Sequence, residues 1–224
     1  MCGIVGYVGM RSAQQVLLDG LEKLEYRGYD SAGVALTQRD GIRVVKSKGR
    51  LSTLRSKLEE LALPQSSCGI GHTRWATHGE PSVVNAHPHY SRDQKIAVVH
   101  NGIIENFAQL RAELEATGVT MQSQTDTEVL AHLVNFYLED DLLEALKKAL
   151  SRVTGAYAVA VFDKLHPERI VGARQGSPMV VGLGEGENFI ASDAMALVGV
   201  TDKIVYLDDG DIAVSYTHLT LPTT

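Results

Sequence analysis

The residue with the most evident chemistry is Cys2, which directly follows Met1. If Met1 is removed, Cys2 carries both a thiol and a free α-amine, whose reference pKa values are about 8.5 and about 7.7–8.0. Near neutral pH the amine can accept the thiol proton and later return it to a leaving group, so no separate histidine base is needed. The alternative is a small buried hydrophobic residue near a terminus.

A second candidate is the segment 72–80, which combines polar side chains with the single tryptophan of the chain, Trp75. Arg74 offers a planar fork that can hold a carboxylate through two hydrogen bonds, and Thr77 and His78 can add donors. The alternative is a surface loop with an arginine salt bridge and a packed tryptophan. We expect a long ordered loop from residue 74 to residue 89, a feature that is often functional in compact domains.

Two further candidates lie beyond this loop. Asn101 and Gly102 follow an apolar strand, and an amide side chain with a glycine N–H can form an oxyanion hole; the alternative is a hairpin turn. Asp126 begins a predicted helix, where it can favour the helix dipole or bind a substrate ammonium group. An arginine for a carboxylate and an aspartate for an ammonium suit an α-amino acid, but spacing alone does not decide between these alternatives.

Arg27 opens the segment 27–33, which is too short and too acidic for a phosphate-binding loop and otherwise resembles a glycine-flanked turn. A zinc site is a further alternative, but the spacing of its potential ligands matches no common structural zinc pattern. Those potential ligands are Cys68, His72, His78, His87, His89 and His100.

Composition narrows the function classes. The 224 residues carry a net charge of −6 and are 44% hydrophobic, which suits one domain with a sizeable core. No basic stripe favours nucleic acid or an anionic membrane as a partner, and no apolar run is long enough for a transmembrane helix. The two cysteines, distant in sequence and without a secretory signal, indicate a reducing compartment, so we expect a cytoplasmic protein.

Hydrophobic periodicity predicts strands at the start, paired helices in the middle and short strands towards the end. This order favours an α+β fold, with antiparallel sheets between helix layers, over repeated βαβ units. Predicted helices cover 12–24, 51–61, 105–116, a segment starting near 126, and 141–152. We expect one domain over residues 1–214 and an atypical tail over 215–224, for which a disordered segment and a non-native extension are the two interpretations.

Five segments together resemble the class II glutamine amidotransferases, and the resemblance runs from Cys2 to about Ala213. They are similar, more narrowly, to members that supply ammonia for hexosamine synthesis. The segments are Cys-Gly-Ile-Val-Gly at 2–6, Leu-Glu-Tyr-Arg-Gly-Tyr-Asp-Ser-Ala-Gly at 24–33, His-Thr-Arg-Trp-Ala-Thr-His-Gly at 72–79, Asn-Ala-His-Pro-His at 85–89, and His-Asn-Gly-Ile-Ile-Glu-Asn at 100–106.

The resemblance implies a four-layer αββα N-terminal-nucleophile hydrolase sandwich, with two antiparallel sheets between helix layers. It implies that a Cys2 thiolate attacks the side-chain amide of L-glutamine and that water then hydrolyses the thioester to glutamate, with no cofactor and no metal. The implied roles are Cys2 as nucleophile, Asn101 and Gly102 as oxyanion hole, Arg74, Thr77 and His78 at the substrate carboxylate, Asp126 at its ammonium, Trp75 in a closing loop, and Arg27 near the reacting amide.

The resemblance also implies a partner for the ammonia. Full-length members continue into a sugar isomerase half that converts fructose 6-phosphate to an amino sugar, and we expect the full enzyme to be a homodimer. That half is absent from this sequence, so the chain is expected to perform the glutaminase half-reaction. The rival interpretations are another class II amidotransferase and a non-catalytic glutamine-binding domain.

Overall fold

Two antiparallel β-sheets face each other in the structure, a computed structural model that describes residues 2–217. The seven-stranded sheet has the order β11-β9-β10-β1-β4-β2-β3 and the five-stranded sheet the order β12-β8-β7-β6-β5. The strands are β1 (Gly3–Gly9), β2 (Ser31–Gln38), β3 (Gly41–Lys48), β4 (Cys68–Arg74), β5 (His89–Tyr90), β6 (Ile96–Ile104), β7 (Gly155–Asp163), β8 (Arg169–Gln175), β9 (Val180–Leu183), β10 (Glu187–Ala191), β11 (Lys203–Tyr206) and β12 (Ile212–Tyr216).

The helices cover the outer faces of the two sheets. They are α1 (Ala13–Glu22), α2 (Leu51–Leu61), α3 (Phe107–Ala116), α4 (Asp126–Tyr137) and α5 (Leu142–Leu150). One apolar cluster joins α1 and α2 to the seven-stranded sheet, and another joins α3, α4 and α5 to the five-stranded sheet. A third cluster lies between the sheets and includes Ile4 and Ile70 from one and Val99 and Phe162 from the other. The predicted α+β sandwich of four layers, αββα, is therefore confirmed.

The first strand shows why this architecture suits the sequence. All seven residues of β1 are buried, because the sheet is covered on one side by helices and on the other by the second sheet. A strand covered on both faces reads as a continuous apolar run rather than an alternating one. The strand begins one residue after Cys2, so the candidate nucleophile is attached to one of the central strands of the larger sheet.

Two predicted boundaries differ from the observed ones. The strand predicted to end at His100 continues to Ile104, with Asn101 opposite Ala158 and Gly102 opposite Tyr157 in β7. The segment predicted to be a turn before residue 34 is already in β2, which starts at Ser31. In both places the chain pairs with a neighbouring strand, a tertiary contact that local sequence pattern does not encode.

Other local predictions are confirmed. The hairpin of β2 and β3 turns between Gln38 and Gly41, which are opposite each other. Thr125 caps α4, since its side-chain oxygen accepts a hydrogen bond from the N–H of Glu128 at 3.3 Å.

The sequence-based predictions for the two ends are only partly covered by the structure. Met1 and residues 218–224 lie outside the described residues, and with them most of the predicted tail. Its first two residues, Ser215 and Tyr216, belong to β12 and pair with Ile170 and Arg169 of β8. Within residues 2–217, no helix has the length and apolar character needed to cross a membrane.

Candidate active site

All the site residues predicted from sequence line one cavity of about 400 Å³ at the ends of β1, β4 and β6. This size is in the range of small-molecule sites in proteins. The predicted residues in its wall are Cys2, Arg27, Arg74, Trp75, Thr77, His78, Asn101, Gly102 and Asp126. The segments that are separated in sequence are thus brought together by the pairing of strands within each sheet and by the packing of the two sheets against each other.

Cys2 contacts the backbone at the start of the 74–89 loop. Its Sγ accepts a hydrogen bond from the N–H of Trp75 at 3.2 Å and lies 3.5 Å from the carbonyl oxygen of the same residue. Burial raises the pKa of the Cys2 thiol above its ordinary value, and the Trp75 N–H opposes this by stabilising the thiolate. A thiol with a raised pKa needs a nearby base before it can act as a nucleophile.

Asn101 and Gly102 lie side by side on β6 at the cavity wall. The side-chain Nδ2 of Asn101 donates to the carbonyl oxygen of Cys2 at 3.3 Å, which ties the amide to the candidate nucleophile. Gly102 has a φ of +122°, and a Cβ at this position would lie 2.1 Å from the carbonyl oxygen of Ala156. A side chain is therefore excluded here, both by its backbone conformation and by the neighbouring strand.

Arg74 is buried at the end of β4, where its guanidinium organises the following loop. Nη2 donates to the carbonyl oxygens of His78 and Gly79, and Nη1 donates to that of Glu80 at 3.4 Å. Arginine has five N–H donors, so these three contacts leave the Nε–H and one Nη1–H, which point in different directions. The arginine can thus hold the loop and still donate one hydrogen bond to a carboxylate.

The other loop residues close the cavity from the solvent side. Trp75 is 54% exposed, and His78 packs edge-on against the ring of Phe107 at 4.8 Å. The loop is anchored at its base, because the N–H of Ala76 donates to Oδ2 of Asp30 at 2.5 Å. These contacts place Trp75 at the mouth of the cavity, where it can cover a bound ligand.

Arg27 reaches the cavity from the short 3-10 helix Glu25–Arg27, and its side chain is largely buried. Its Nη1 lies 3.6 Å from Oδ2 of Asp193, which also accepts a hydrogen bond from the hydroxyl of Tyr26 at 2.8 Å. The carboxylate of Asp193 therefore helps to position the Arg27 side chain at the cavity.

Asp126 is the first residue of α4 and is almost completely buried. Its Oδ2 accepts a hydrogen bond from the N–H of Ile104 at 2.9 Å and lies 3.9 Å from Nδ1 of His100. Burial is the largest influence on His100 and lowers its pKa, so the ring is neutral near pH 7. Asp126 thus presents a carboxylate to the cavity, and the ring nearest to it carries no charge.

Three of the histidines considered for zinc pack ring against ring. The rings of His72 and His87 are stacked with centroids 4.1 Å apart, and the rings of His87 and His89 meet edge-on with centroids 5.0 Å apart. Gly33 permits this arrangement, because a Cβ there would lie 2.1 Å from the carbonyl oxygen of His87. Among residues 2–217, no group of three or more histidine, cysteine, aspartate or glutamate side chains is arranged to hold a metal ion.

The cavity has further wall residues for which the sequence predicted no role in catalysis or substrate binding. They are His87, His100, Ile103, Thr125, Thr127, Ser177 and Pro178. Of these residues, His100 has the clearest sequence signal, because it directly precedes Asn101 and Gly102. Ser177 and Pro178 follow β8, which is far from the other site segments in sequence, so only the tertiary fold reveals them.

Comparison with known proteins identifies the family of this chain. Residues 59–223 match the family described as "Glutamine amidotransferase domain". A glutamine–fructose-6-phosphate aminotransferase (isomerizing) of Thermus thermophilus is 58% identical over 212 residues, which cover 95% of this chain and 35% of that protein. The enzyme of the same name from Bacteroides thetaiotaomicron is 55% identical over 218 residues, which cover 96% of this chain and 35% of that protein. The chain therefore spans about a third of the length of these curated relatives.

A solved structure resembles the fold. The glutamine phosphoribosylpyrophosphate amidotransferase from B. subtilis, complexed with ADP and GMP, superposes with a TM-score of 0.80 and 27% identity, covering 98% of this chain and 50% of that chain. The four layers are those of an N-terminal-nucleophile hydrolase, as the sequence resemblance implied. Together with the match over residues 59–223, this shows that the chain belongs to the glutamine amidotransferase domain family.

Proposed function

We propose that this chain hydrolyses the side-chain amide of L-glutamine to glutamate and ammonia, with Cys2 as the nucleophile. The observation that carries the proposal is the position of the Cys2 thiol in a cavity that also contains Asn101, Gly102, Arg74 and Asp126. The cavity wall offers Asn101 and Gly102 to a reacting amide, Arg74 to a carboxylate and Asp126 to an ammonium group. These three groups are those of glutamine.

The first step is attack by the thiolate on the amide carbon. Once Met1 is removed, the α-amine of Cys2 takes the thiol proton, which the raised thiol pKa makes necessary. The C–O π-bond electrons move to the oxygen, and the amide of Asn101 and the N–H of Gly102 stabilise the resulting oxyanion. One such donor contributes on the order of 3–4 kcal/mol to lowering the barrier.

The second step is collapse of the tetrahedral intermediate. The C–N bond breaks, the protonated α-amine gives its proton to the leaving nitrogen, and ammonia departs from a γ-glutamyl thioester. A water molecule, deprotonated by the same amine, then attacks the thioester carbon; the C–S bond breaks, the amine returns the proton to the Cys2 sulfur, and glutamate leaves. Arg74 with Thr77 and His78 binds the α-carboxylate, Asp126 binds the α-ammonium, Arg27 lies near the reacting amide, and Trp75 covers the bound substrate.

The ammonia is proposed to serve glucosamine 6-phosphate synthesis from fructose 6-phosphate. The support is the 58% identity to a protein named for that aminotransfer, of which this chain corresponds to 35%. The acceptor reaction then belongs to a sugar isomerase half outside this sequence, and we expect the full enzyme to be a homodimer. We place the activity in the cytoplasm, where the Cys2 thiol stays reduced.

The test is glutamate release from glutamine by purified protein whose N-terminal mass shows that Met1 is absent. We expect Cys2→Ala to abolish release while calorimetry still detects glutamine binding. The matched control is Cys68→Ala, which removes the other free thiol, buried away from the cavity, and should retain activity. Full activity in Cys2→Ala, or in a form that retains Met1, would contradict the mechanism; glutamine binding without hydrolysis by wild type would favour a non-catalytic domain.

A further inference from the structure

A buried histidine that does not line the cavity contacts the candidate oxyanion hole from behind. His72 lies on β4, in the seven-stranded sheet, opposite Ile4 of β1 and Gly33 of β2. Its Nε2 is 2.9 Å from Oδ1 of Asn101 and 3.2 Å from the carbonyl oxygen of His100, both on β6 of the other sheet. His72 is therefore a direct polar link between the two sheets at the active site.

The partners of this ring determine where its proton lies. Both atoms facing Nε2 are oxygens that can only accept, so Nε2 must carry the hydrogen. Within residues 2–217, Nδ1 of His72 has no hydrogen-bond partner. Burial also lowers the pKa of His72 to about 3, which keeps the ring neutral. A neutral ring with its proton on Nε2 satisfies all of these contacts.

The same contacts determine the orientation of the Asn101 amide. Oδ1 faces the Nε2–H of His72, while Nδ2 faces the carbonyl oxygen of Cys2 at 3.3 Å, which can only accept. One N–H of the amide is directed to Cys2, and the other remains for an oxygen in the cavity. If the amide were rotated by 180°, two pairs of like groups would face each other. The stacked ring of His87, 4.1 Å away and inclined by 20°, restricts movement of His72.

We propose that His72 is a positioning residue for the oxyanion hole: its Nε2–H donates to Oδ1 of Asn101 and so directs the amide N–H at the oxygen of the substrate amide. His72 does not touch the substrate and acts only through Asn101. This inference rests on the proposed glutaminase function and adds to it a residue required for transition-state binding. Because the oxyanion exists only after attack, loss of this contact lowers kcat more than it raises KM.

The experiment compares two uncharged polar replacements of different length. In His72→Gln, the side-chain N–H₂ lies where Nε2 was and can donate to Asn101, whereas the amide in His72→Asn is too short. We expect His72→Asn to lower kcat by about 10- to 100-fold with little change in KM, and His72→Gln to retain most of the activity. The control is His132→Asn, which shortens another buried histidine that lies on α4 and pairs with Glu128, and should leave kcat unchanged.

A double-variant measurement separates positioning from a general structural role. If His72 acts through Asn101, the combined variant His72→Asn with Asn101→Ala should be no slower than Asn101→Ala alone. If the two substitutions instead lowered kcat independently, so that their effects multiplied in the double variant, the proposal would be overturned. Equal kcat values for His72→Asn and wild type would also overturn it, as would equal decreases in kcat for His72→Gln and His72→Asn.

A measurement on the wild-type protein covers the case in which a variant fails to fold. Nitrogen-15 chemical shifts of the His72 ring should show a proton on Nε2 and none on Nδ1 at neutral pH, and the opposite tautomer would overturn the proposal. The proposed function has its own readout, since wild-type protein without glutaminase activity contradicts it whatever the tautomer of His72.

Discussion

Replacing Gly102 by alanine tests the oxyanion hole and the strand geometry together. The added Cβ would lie 2.1 Å from the carbonyl oxygen of Ala156, whereas an ordinary contact is at least 3.4 Å. The two strands must therefore separate locally by about 1 Å, and the φ of +122° becomes strained. Backbone strain of about 1–3 kcal/mol and overpacking of about 1–3 kcal/mol predict a loss of roughly 2–6 kcal/mol in the free energy of unfolding.

The same displacement should remove a catalytic hydrogen bond. An oxyanion donor works at about 2.7–3.1 Å, so a shift of about 1 Å removes most of its effect. We therefore expect kcat for glutamine hydrolysis to fall by about 10²- to 10³-fold in protein that is still folded. The assays are urea unfolding followed by circular dichroism, and glutamate release under conditions in which the variant remains native.

Two matched variants separate the contributions. Gly155→Ala places a Cβ 2.2 Å from the carbonyl oxygen of Ile103 at a φ of +120°. We therefore expect it to lower the free energy of unfolding by about as much as Gly102→Ala does. Gly155 does not line the cavity, so its kcat should fall less than that of Gly102→Ala. Gly118→Ala, with a φ of +90° and no atom within 4 Å of the added carbon, reports backbone strain alone. A folded Gly102→Ala protein with wild-type kcat would refute the assignment of its N–H to the oxyanion hole.

Two other expectations follow from charge. Burial lowers the pKa of His72 to about 3, so below about pH 6.5 the unfolded chain binds a proton that the folded chain does not, and stability falls as the pH falls. From about pH 7 to about pH 5 this histidine alone should reduce the free energy of unfolding by roughly 2 kcal/mol. Urea titrations at the two pH values should therefore show a smaller decrease in the free energy of unfolding for His72→Gln than for wild type. An identical pH dependence in the variant would contradict this. Asp126→Asn keeps an oxygen that can accept a hydrogen bond from the N–H of Ile104 but removes the charge. We therefore expect KM for glutamine to rise by about 10- to 100-fold, with a smaller change in kcat. An unchanged KM would count against binding of the substrate ammonium by Asp126.

Sequence predicts the parts of this site that depend on residue type and local order. Cys2, the Arg74 loop, the Asn101–Gly102 pair and Asp126 can be identified because each combines a suitable functional group with an unusual local context. The structure places all of them around one cavity. Long amphipathic helices are also predicted within a few residues, since their hydrophobic spacing reflects one-sided packing.

What sequence does not predict depends on contacts between distant segments. The Asn-Gly pair suggests the end of a strand, yet the strand continues to Ile104 because β7 pairs with it through both residues. The histidines suggest metal by their number, while their actual arrangement depends on the approach of the 85–89 segment to Gly33. The hydrogen bond from His72 to Asn101 crosses from one sheet to the other, and no local pattern in either strand contains it.

The site is assembled at the ends of strands that belong to different sheets. Cys2 precedes β1 and Arg74 ends β4 in the larger sheet, while Asn101 and Gly102 lie on β6 in the smaller one. The nucleophile and the oxyanion hole therefore keep their relative positions only as long as the two sheets do. The apolar cluster between the sheets holds their faces together, but apolar packing has no directional preference and cannot fix an amide to within a few tenths of an ångström. The direct hydrogen bonds across this boundary, from Asn101 to Cys2 and from His72 to Asn101, supply that direction, so we expect catalysis to be more sensitive to them than the overall stability is.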